Sequence, residues 1–351
     1  MIAALLAWIC SQGELVGPAP ASAPERALQA CENFRQSSRA VGLTVAVARN
    51  GKVILSGGWG ERDREADLPM LTGTLVRLAS VSKPVTAVLT ALVARERELS
   101  LDAAISAHVP ELPETLQGLT LRGLLSHTAG VRHYRADRSD NATGACTTRE
   151  ALALFVNDPL VAPPGTKYSY STHAFTLVCA TLEGATKQDF RTLLRERISS
   201  QVAPTLDCEV ASDAKELRSA AYELVYGKAE RAAKREDLSW KYAGGGMECS
   251  APDLARFADA VLRAQLVPAE VRDALWTRQR LADGSEIDYG LGWAVPAKST
   301  LVSHTGSQQG ASALLSVDRE SGTVIVVLCN TNGVKAVELG DELQRILTSP
   351  R

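Results

Sequence analysis

The sequence predicts an α/β fold, in which an antiparallel sheet is flanked by helices and carries a large helical subdomain. Apolar and β-branched runs predict strands near both chain ends, at about 43–49, 52–58, 291–296, 301–304, 311–317 and 323–329. Helical spacing dominates the sequence between them, roughly residues 80–240, and returns in a final helix at about 335–347. Both chain ends would therefore build one sheet, with terminal helices packed on it and the helical insertion on one side.

Asn50 and Gly51 join the first two predicted strands. This dipeptide suits a two-residue type I′ turn, in which both central residues take positive φ. We therefore expect the first two strands to pair as an antiparallel hairpin that opens the sheet.

Length and charge balance indicate one sizeable domain, at residues 24–351. Hydrophobic residues make up 45% of the 351-residue chain, enough to bury a substantial core, and no internal repeat suggests a solenoid. The 38 basic and 40 acidic residues nearly cancel, so no overall field would attract nucleic acid. The densest basic stretch, at 228–235, also contains glutamate and is interpreted as a solvated helix face.

Residues 1–23 have the composition of a signal peptide or N-terminal anchor. Ile2 to Ile9 form an apolar run too short to span a bilayer, and small residues follow at 17–23. The sequence therefore predicts export, to the periplasm or out of the cell, and no integral membrane span. No Lys or Arg precedes the apolar run, so a cytoplasmic protein without a cleaved signal is the alternative.

Cysteine usage is compatible with disulfides in an exported protein. Besides Cys10, the chain has an even number of cysteines, at positions 31, 146, 179, 208, 249 and 329. Their spacing matches no zinc or redox motif, so no metal or other cofactor is expected. Cys179 and Cys329 lie in apolar runs, which is typical of buried, reduced residues.

Ser80 and Lys83 are spaced for nucleophilic catalysis without a histidine. A loop at 71–74 precedes them and helical spacing follows from Val85, so both fall where a helix begins. Pro84 is tolerated only in a first helical turn, where backbone N–H groups lack helical partners. Residues i and i+3 share a helix face, and a buried lysine that has lost its proton can take the proton of a serine.

Two further polar motifs lie far along the chain. A turn at 163–166 leads into Tyr170 and Thr172, and residues 304–307 (His-Thr-Gly-Ser) lie in a strand-like run. Ser80 opens the helical part of the predicted fold and residues 304–307 lie on the sheet. We therefore expect the three motifs to meet at the junction of the two parts, where ligand clefts are common.

Together the three motifs resemble those of the serine β-lactamase and penicillin-binding-protein-like family. Its pattern is Ser-x-x-Lys, then Tyr-x-Asn, then Lys- or His-Thr-Gly, and the chain is most similar to the class C β-lactamase-related serine hydrolases. Thr172 stands where asparagine is usual, and His304 stands where penicillin-hydrolysing enzymes carry lysine. Both departures are similar to the esterase-like relatives and to the mitochondrial β-lactamase-like protease branch. The resemblance covers nearly all of residues 24–351.

The resemblance implies a serine hydrolase that acts through an acyl-enzyme on a small-molecule or peptide substrate with an ester, amide or lactam bond. Ser80 would be the nucleophile, and Lys83 and Tyr170 would share the proton transfers. Either of the two is a candidate base, Tyr170 if Lys83 lowers the pKa of its phenol. The backbone N–H groups of Ser80 and Ser307 would form the oxyanion hole.

The expected substrate-binding residues are Thr172, His304, Thr305, Gly306 and Ser307. His304 and Thr305 would orient or bind a substrate carboxylate or carbonyl. An imidazole has an unperturbed pKa of about 6.5, so His304 is expected to change charge in the working pH range. Thr172 can donate a hydrogen bond but lacks the reach of an asparagine amide. These departures predict faster turnover of short aryl esters than of penicillins.

Two function classes stay open: the serine hydrolase, and a binding or scaffold protein that keeps the fold without turnover. The intact Ser80, Lys83 and Tyr170 favour the hydrolase. No Gly-x-Ser-x-Gly sequence occurs, which excludes an α/β-hydrolase nucleophile elbow. Ser126 and His127 are interpreted as structural, because neighbours in sequence on a helix do not face each other.

Overall fold

A computed structural model describes residues 13–15, 23–136, 144–232 and 234–348. Most of the predicted signal peptide, residues 1–12 and 16–22, lies outside the described residues. The strands are β1 (Gly13–Leu15), β2 (Gly42–Arg49), β3 (Lys52–Asp63), β4 (Leu68–Pro69), β5 (Val76–Arg77), β6 (Asp207–Cys208), β7 (Tyr222–Val225), β8 (Lys228–Arg231), β9 (Met247–Cys249), β10 (Leu301–Gln308), β11 (Ala311–Asp318), β12 (Thr323–Cys329) and β13 (Thr331–Asn332).

The helices lie mainly between β5 and β10. They are α1 (Ala23–Ser38), α2 (Ser82–Glu96), α3 (Glu114–Gln117), α4 (Leu121–Leu125), α5 (Thr148–Leu152), α6 (Thr172–Thr186), α7 (Phe190–Leu194), α8 (Ser200–Val202), α9 (Tyr242–Gly245), α10 (Ala251–Leu262), α11 (Ala269–Leu275) and α12 (Ala336–Thr348). This distribution confirms the predicted fold class, a sheet at the chain ends with helical sequence between.

The main sheet is antiparallel and is built from both chain ends, as predicted. Its strand order is β1-β3-β2-β12-β11-β10, and β4 pairs with β3 off this path. β2 and β3 form the expected hairpin around Asn50 (φ +54°) and Gly51 (φ +80°). β12 joins the two ends of the chain by pairing with β2, which places Val45 opposite Val327. β10 is an edge strand of this sheet.

Both faces of the main sheet are covered. Successive side chains of a strand point to opposite faces. Val45 and Val47 of β2 therefore pack in the core beneath α1 and α12, whereas Ala46 and Ala48 join the larger core shared with the helices of the insertion. The sheet is thus a buried layer between the terminal helices and the helical part of the chain.

Two predicted segments differ from the structure. Residues 291–296 are not a strand and form only isolated bridges, of Ala294 with Tyr289 and with Ser303. The reason is Gly292, which takes φ +78° and lies so close to α2 that a Cβ would be 2.9 Å from the Lys83 carbonyl oxygen. The basic stretch at 228–235 begins in strand β8 of a hairpin and is not a helix face.

Two small sheets position segments that contribute to the candidate active site. β5, β9 and β6 form a three-stranded sheet, and β13, β7 and β8 form another. β5 leads directly into the Ser80 segment, and β9 directly follows α9. Because β5 and β9 pair, with Val76 opposite Cys249, the segment before β9 is held beside Ser80.

Candidate active site

Ser80 lies in a short 3₁₀ turn, Ala79–Val81, between β5 and α2. Ala79 takes φ +48°, a left-handed conformation that costs a non-glycine residue of the order of 1 kcal/mol. Val81 N–H closes the turn by donating to the Leu78 carbonyl at 3.1 Å. Such strain persists only where surrounding contacts fix the backbone, so neighbouring structure holds Ser80 in place.

A buried ion network fixes the strand that leads into this turn. Arg77 on β5 is 1% exposed and donates two hydrogen bonds to Glu209, of 2.7 and 2.6 Å. Arg235 donates two more to Glu209, both of 2.9 Å. Arg77 also donates to the carbonyl of Gln309 at 3.1 Å. Gln309 follows β10 directly, so the network ties the nucleophile strand to the strand that carries Ser307.

Lys83 is fully buried and contacts Ser80. Its Nζ lies 3.2 Å from Ser80 Oγ, 2.6 Å from the Gly244 carbonyl oxygen and 3.4 Å from Thr172 Oγ1. Burial, and secondarily the positive charge of Lys241, hold the pKa of Lys83 well below its usual 10.5. A neutral amine donates two hydrogen bonds, here to Gly244 and Thr172. Its lone pair is then free to accept the Ser80 proton.

Tyr170 contacts both Ser80 and Lys83. Its hydroxyl shares a hydrogen bond with Ser80, and Lys83 Nζ lies 4.7 Å from the centre of its ring. Burial raises the pKa of the Tyr170 phenol above its usual 10 despite that hydrogen bond. The condition under which Tyr170 would be the base, a phenol pKa lowered by Lys83, is not met in the substrate-free protein, because burial outweighs the other influences on this pKa. Tyr170 is therefore a protonated group that can donate.

The free edge of β10 presents backbone N–H groups to the site. Ser303 exchanges two hydrogen bonds with Ala294 outside the sheet, of 3.1 and 2.8 Å, so its N–H and C=O point away from β11. In an antiparallel pair this direction repeats every second residue. The N–H groups of Thr305 and Ser307 therefore point from the same edge.

Gly306 lets this edge of β10 approach the turn at Ala79–Val81, which contains Ser80. A Cβ at Gly306 would lie 2.4 Å from the Leu78 carbonyl oxygen and 3.1 Å from the Ser80 nitrogen. No side chain larger than hydrogen fits that space without moving β10 or the turn. The close approach leaves the N–H of Ser80 beside the strand that carries the Ser307 N–H, the arrangement of a candidate oxyanion hole.

His304 is buried, and both of its ring nitrogens are occupied. Nδ1 lies 2.6 Å from the Thr305 carbonyl oxygen, to which it donates, and Nε2 lies 2.9 Å from the Tyr289 hydroxyl, from which it accepts. Burial lowers the pKa of His304 to about 3. The prediction that His304 changes charge in the working pH range is therefore wrong for the substrate-free protein. A neutral imidazole with both nitrogens engaged cannot anchor a substrate carboxylate.

Thr172 contacts Lys83 and not the open cleft. It is the first residue of α6, whose N-cap Ser171 accepts a hydrogen bond from the Ala174 N–H. Its side chain is 3% exposed and faces Lys83. Gly244 makes this packing possible, because a Cβ there would lie 2.8 Å from Thr172 Cγ2. The hydroxyl of Thr172 thus helps to position Lys83.

A cavity of about 470 Å³ opens beside Tyr170 and His304. It is lined by Tyr168, Tyr170, Ile287, Asp288, Tyr289, Ala294, His304 and Thr305. Asp288, the carboxylate of this set, pairs with Arg278 at 2.8 Å. Since His304 is neutral, the cavity suits an uncharged apolar or aromatic group. Ser307 lies farther along the strand, where its hydroxyl donates to Asn332 Oδ1 at 2.7 Å.

Tyr289, Lys241 and Gln308 also border the site but were not predicted from the sequence, and His127, which was interpreted as structural, lies beside them. Lys241 precedes the run of three glycines at 244–246, which is the one sequence signal near it. The contacts of the others with the site form only through the fold.

His127 supports the segment that carries Tyr170. Its Nδ1 accepts a hydrogen bond from the Ser171 N–H at 3.1 Å, and its ring centre lies 4.3 Å from that of Tyr170. Burial holds the pKa of His127 well below its usual 6.5. The hydroxyl of Ser126 instead donates to the Arg122 carbonyl at 2.7 Å. These separate partners agree with a structural interpretation of the Ser126-His127 pair.

Within the described residues the cysteines are free thiols, and neither a metal-binding cluster nor a membrane-spanning helix is found. The cysteines there are all unpaired, at positions 31, 146, 179, 208, 249 and 329, so the disulfides considered for an exported protein are not formed among them. Within the same ranges, no group of three or more His, Cys, Asp or Glu side chains could hold a metal ion. Nor does any helix of the described chain have the length and apolar character needed to cross a membrane.

Comparison with known proteins agrees with this architecture. The sequence profile of the β-lactamase family matches residues 28–348. The chain is 26% identical over 407 residues to the serine β-lactamase-like protein LACTB, mitochondrial, of Homo sapiens, which covers 84% of this chain and 74% of that protein. It is 27% identical over 344 residues to esterase EstB of Burkholderia gladioli, which covers 84% of this chain and 86% of the esterase.

A solved structure shows the same fold. The D-amino acid amidase from Ochrobactrum anthropi SV3 in complex with D-phenylalanine superposes with a TM-score of 0.80, covering 93% of this chain and 100% of the amidase. At 18% identity this likeness concerns the fold alone. The family profile, however, spans β2 to β12 of the main sheet, the helical part and all three motifs. The chain therefore belongs to the β-lactamase family.

Proposed function

We propose that the protein is a serine hydrolase that cleaves an ester, amide or lactam bond through an acyl-enzyme on Ser80. The observation that carries the proposal is the contact between Lys83 Nζ and Ser80 Oγ, 3.2 Å apart, with Lys83 fully buried. Burial disfavours the ammonium form, so the amine can act as a base near neutral pH. This geometry favours Lys83 over Tyr170 as the group that activates the nucleophile.

In the acylation step, a bond forms between Ser80 and the acyl carbon, and the bond between that carbon and the leaving group breaks. The Lys83 amine takes the Ser80 proton while Oγ attacks the carbonyl carbon of the substrate. The negative charge that develops on the carbonyl oxygen is stabilised by the N–H groups of Ser80 and Ser307. When the bond to the leaving group breaks, the Tyr170 hydroxyl donates its proton to the leaving atom, and the Lys83 ammonium returns a proton to Tyr170.

Hydrolysis of the acyl-enzyme completes the cycle. Lys83, neutral again, takes a proton from a water molecule that attacks the acyl carbon in the same oxyanion hole. The Ser80–acyl bond breaks, and Ser80 regains its proton from Lys83. The acid is released and the site returns to its starting protonation state.

The cavity beside Tyr170 favours uncharged leaving groups. Tyr170 is the proton donor to the leaving atom and lines the cavity, so the leaving group would lie there. His304 offers no positive charge to a carboxylate on that side. Aryl esters are therefore the proposed model substrates, in preference to penicillins. Residues 24–351 would form the catalytic domain, with an export signal or N-terminal anchor within 1–23.

A fluorophosphonate probe tests the nucleophile. We expect it to label the wild-type protein and the control Ser200→Ala, which removes an exposed serine on α8 whose hydroxyl donates to the Glu196 carbonyl. Ser80→Ala should lose both labelling and hydrolysis of p-nitrophenyl acetate while remaining folded, because alanine is a good helix former at a helix start. Circular dichroism checks the fold.

The same experiment separates the hydrolase from a silent scaffold. The alternative function is a penicillin-binding-like protein that keeps the fold without turnover. It would be supported if the folded wild type neither took up the probe nor cleaved the ester. Labelling that persists in Ser80→Ala would contradict the assignment of Ser80.

A further inference from the structure

Tyr168 is an exposed aromatic side chain on the wall of the cavity. Among the exposed large hydrophobic side chains of the described residues, Tyr168, at 37%, is the one that lines the cavity beside Tyr170. It has no part in the proton transfers proposed above. A large apolar group that is left exposed inside a concave site, and not on a convex surface, marks a place where a ligand binds.

His127 fixes the segment that carries Tyr168. The Ser169 N–H donates to the His127 carbonyl at 2.8 Å, and the Ser171 N–H donates to His127 Nδ1 at 3.1 Å. Tyr168 and Tyr170 alternate with these two serines, and both line the cavity. The position of Tyr168 is therefore set before any ligand binds, so a ligand pays little to order it.

Two aromatic neighbours support the Tyr168 ring. Its centre lies 5.8 Å from that of Tyr289 and 5.9 Å from that of His127, the latter in an edge-to-face arrangement. Ile287 and Ala294 add aliphatic side chains to the lining of the same cavity. The cavity thus offers aromatic and aliphatic surface to a planar ring.

Tyr168 also lies close to the expected position of the leaving atom. The Tyr170 hydroxyl shares a hydrogen bond with Ser80 and is the proposed proton donor to that atom. Two residues of extended chain span about 6 to 7 Å. A ring bonded directly to the leaving atom and directed into the cavity is therefore within reach of Tyr168.

We infer that Tyr168 is a specificity-determining residue, and that it selects esters whose leaving group is an aromatic alcohol. This inference rests on the proposed function, in which the leaving group lies in the cavity. Aromatic rings attract each other in edge-to-face and offset arrangements beyond the apolar area that they bury. Tyr168 would therefore favour an aryl leaving group over an alkyl group of equal reactivity.

Two acetates matched in reactivity test the inference. Phenyl acetate has an aromatic leaving group, and hexafluoroisopropyl acetate has an alkyl leaving group whose alcohol is about as acidic as phenol. A pH-stat measures both, and each kcat/KM is divided by the hydroxide rate constant of that ester. We expect the wild-type value for phenyl acetate to exceed that for the alkyl ester by about tenfold.

Variants of Tyr168 assign this preference to its ring. Tyr168→Ala should lower the ratio of the two normalised values by about threefold to tenfold, the range of one aromatic pair. Tyr168→Leu keeps apolar bulk beside Tyr289 and should also lower the ratio, so the test holds if the alanine variant fails to fold. Tyr168→Phe retains the ring and should retain the preference.

Tyr226→Ala is the matched control. Tyr226 is fully exposed between β7 and β8 and does not line the cavity, so its loss should leave the wild-type ratio unchanged. An equal fall of the ratio in Tyr226→Ala would overturn the inference, because the effect would not belong to the cavity.

The outcomes separate this inference from the proposed function. If the folded wild type turned over neither ester, the proposed function would be wrong, and the inference with it. If the wild type cleaved both esters and the ratio were the same in Tyr168→Ala and Tyr168→Leu, the role of Tyr168 alone would be wrong. A lowered ratio in both variants, restored in Tyr168→Phe, would support it.

Discussion

Burial of Lys83 lowers the pKa of its amine, which is what its proposed role as a base requires. The two histidines that face it, His127 and His304, are themselves held neutral by burial. The positive charge that acts on Lys83 comes instead from Lys241. The ionisation of Lys83 is thus set by desolvation first and by one neighbouring cation second.

We predict a pH profile from this arrangement. For a neutral ester, kcat/KM should rise with pH as Lys83 loses its proton and should level off well below pH 10.5. Lys241→Met removes a like charge, so Lys83 should hold its proton more tightly and the acid limb should move to higher pH. Stopped-flow or plate kinetics with p-nitrophenyl acetate measure both profiles.

Lys83→Met supplies the control for that profile. It should lower kcat by about 10² to 10⁴, the usual contribution of a general base, and remove the limb. Superimposable profiles for wild type and Lys241→Met would contradict the electrostatic coupling of the two lysines.

The contact between the proposed nucleophile and base was predictable from sequence, but the ionisation of the site residues was not. The i, i+3 spacing of Ser80 and Lys83 predicts their contact directly, because a helix imposes it. The charge of His304 was predicted wrongly, because the sequence does not show whether a histidine on a strand is exposed to solvent or buried against Tyr289. Gln308 was missed because it belongs to no motif, and its contact with the segment at Gly245 forms only through the fold.

The close contact between β10 and the Ser80 turn depends on Gly306. Arg77 and Gln309 tie the same two segments together through the buried ion network. The turn is held in place although Ala79 has an unfavourable backbone conformation. The spacing between the two N–H donors is therefore a property of the packed strand and turn, and not of either segment alone.

Gly306→Ala should separate these two segments. Its Cβ would meet the Leu78 carbonyl oxygen at 2.4 Å, so the strand or the turn must move. We expect kcat to fall by about 10² to 10³, as when one oxyanion-hole donor is lost. Steady-state kinetics measure the fall, and circular dichroism shows whether the variant is folded. A folded variant with wild-type kcat would contradict the proposed oxyanion hole.

Strands were predicted correctly where pairing within the main sheet determines the backbone conformation. They were predicted wrongly where a close packing contact determines it. β2, β3, β11 and β12 match their apolar patterns, because each is buried in the main sheet. Residues 291–296 have a similar pattern, yet Gly292 folds them against α2. The extension of β10 to Gln308 also exceeds its apolar run, since pairing with β11 continues through the polar residues.

The thiols are distributed through both cores. Cys31 and Cys329 lie beneath the terminal helices, and Cys179, Cys208 and Cys249 lie in the larger core. Burial raises the pKa of these thiols, that of Cys329 to about 12. The reactive thiolate is therefore scarce at all five positions at neutral pH.

Iodoacetamide should distinguish these cysteines in the native protein. Cys146 is partly exposed and should react, whereas the five core cysteines should react only after denaturation, as peptide mass mapping would show. Reducing agent should leave Tm unchanged, because the described thiols form no disulfide. A disulfide-linked peptide, or a Tm that falls on reduction, would contradict this arrangement.

Pairing of β2 with β12 also governs the order in which the chain can fold. Arg49 and Thr323 hydrogen-bond across 274 positions of sequence, so the middle of the sheet closes only after β12 has been synthesised. Loop-closure entropy and high contact order make such a step slow. Until then the first hairpin emerges from the ribosome with an unpaired, apolar edge on β2. Ser80, the proposed nucleophile, is thus translated well before β10, so the proposed oxyanion hole can form only after β10 has left the ribosome.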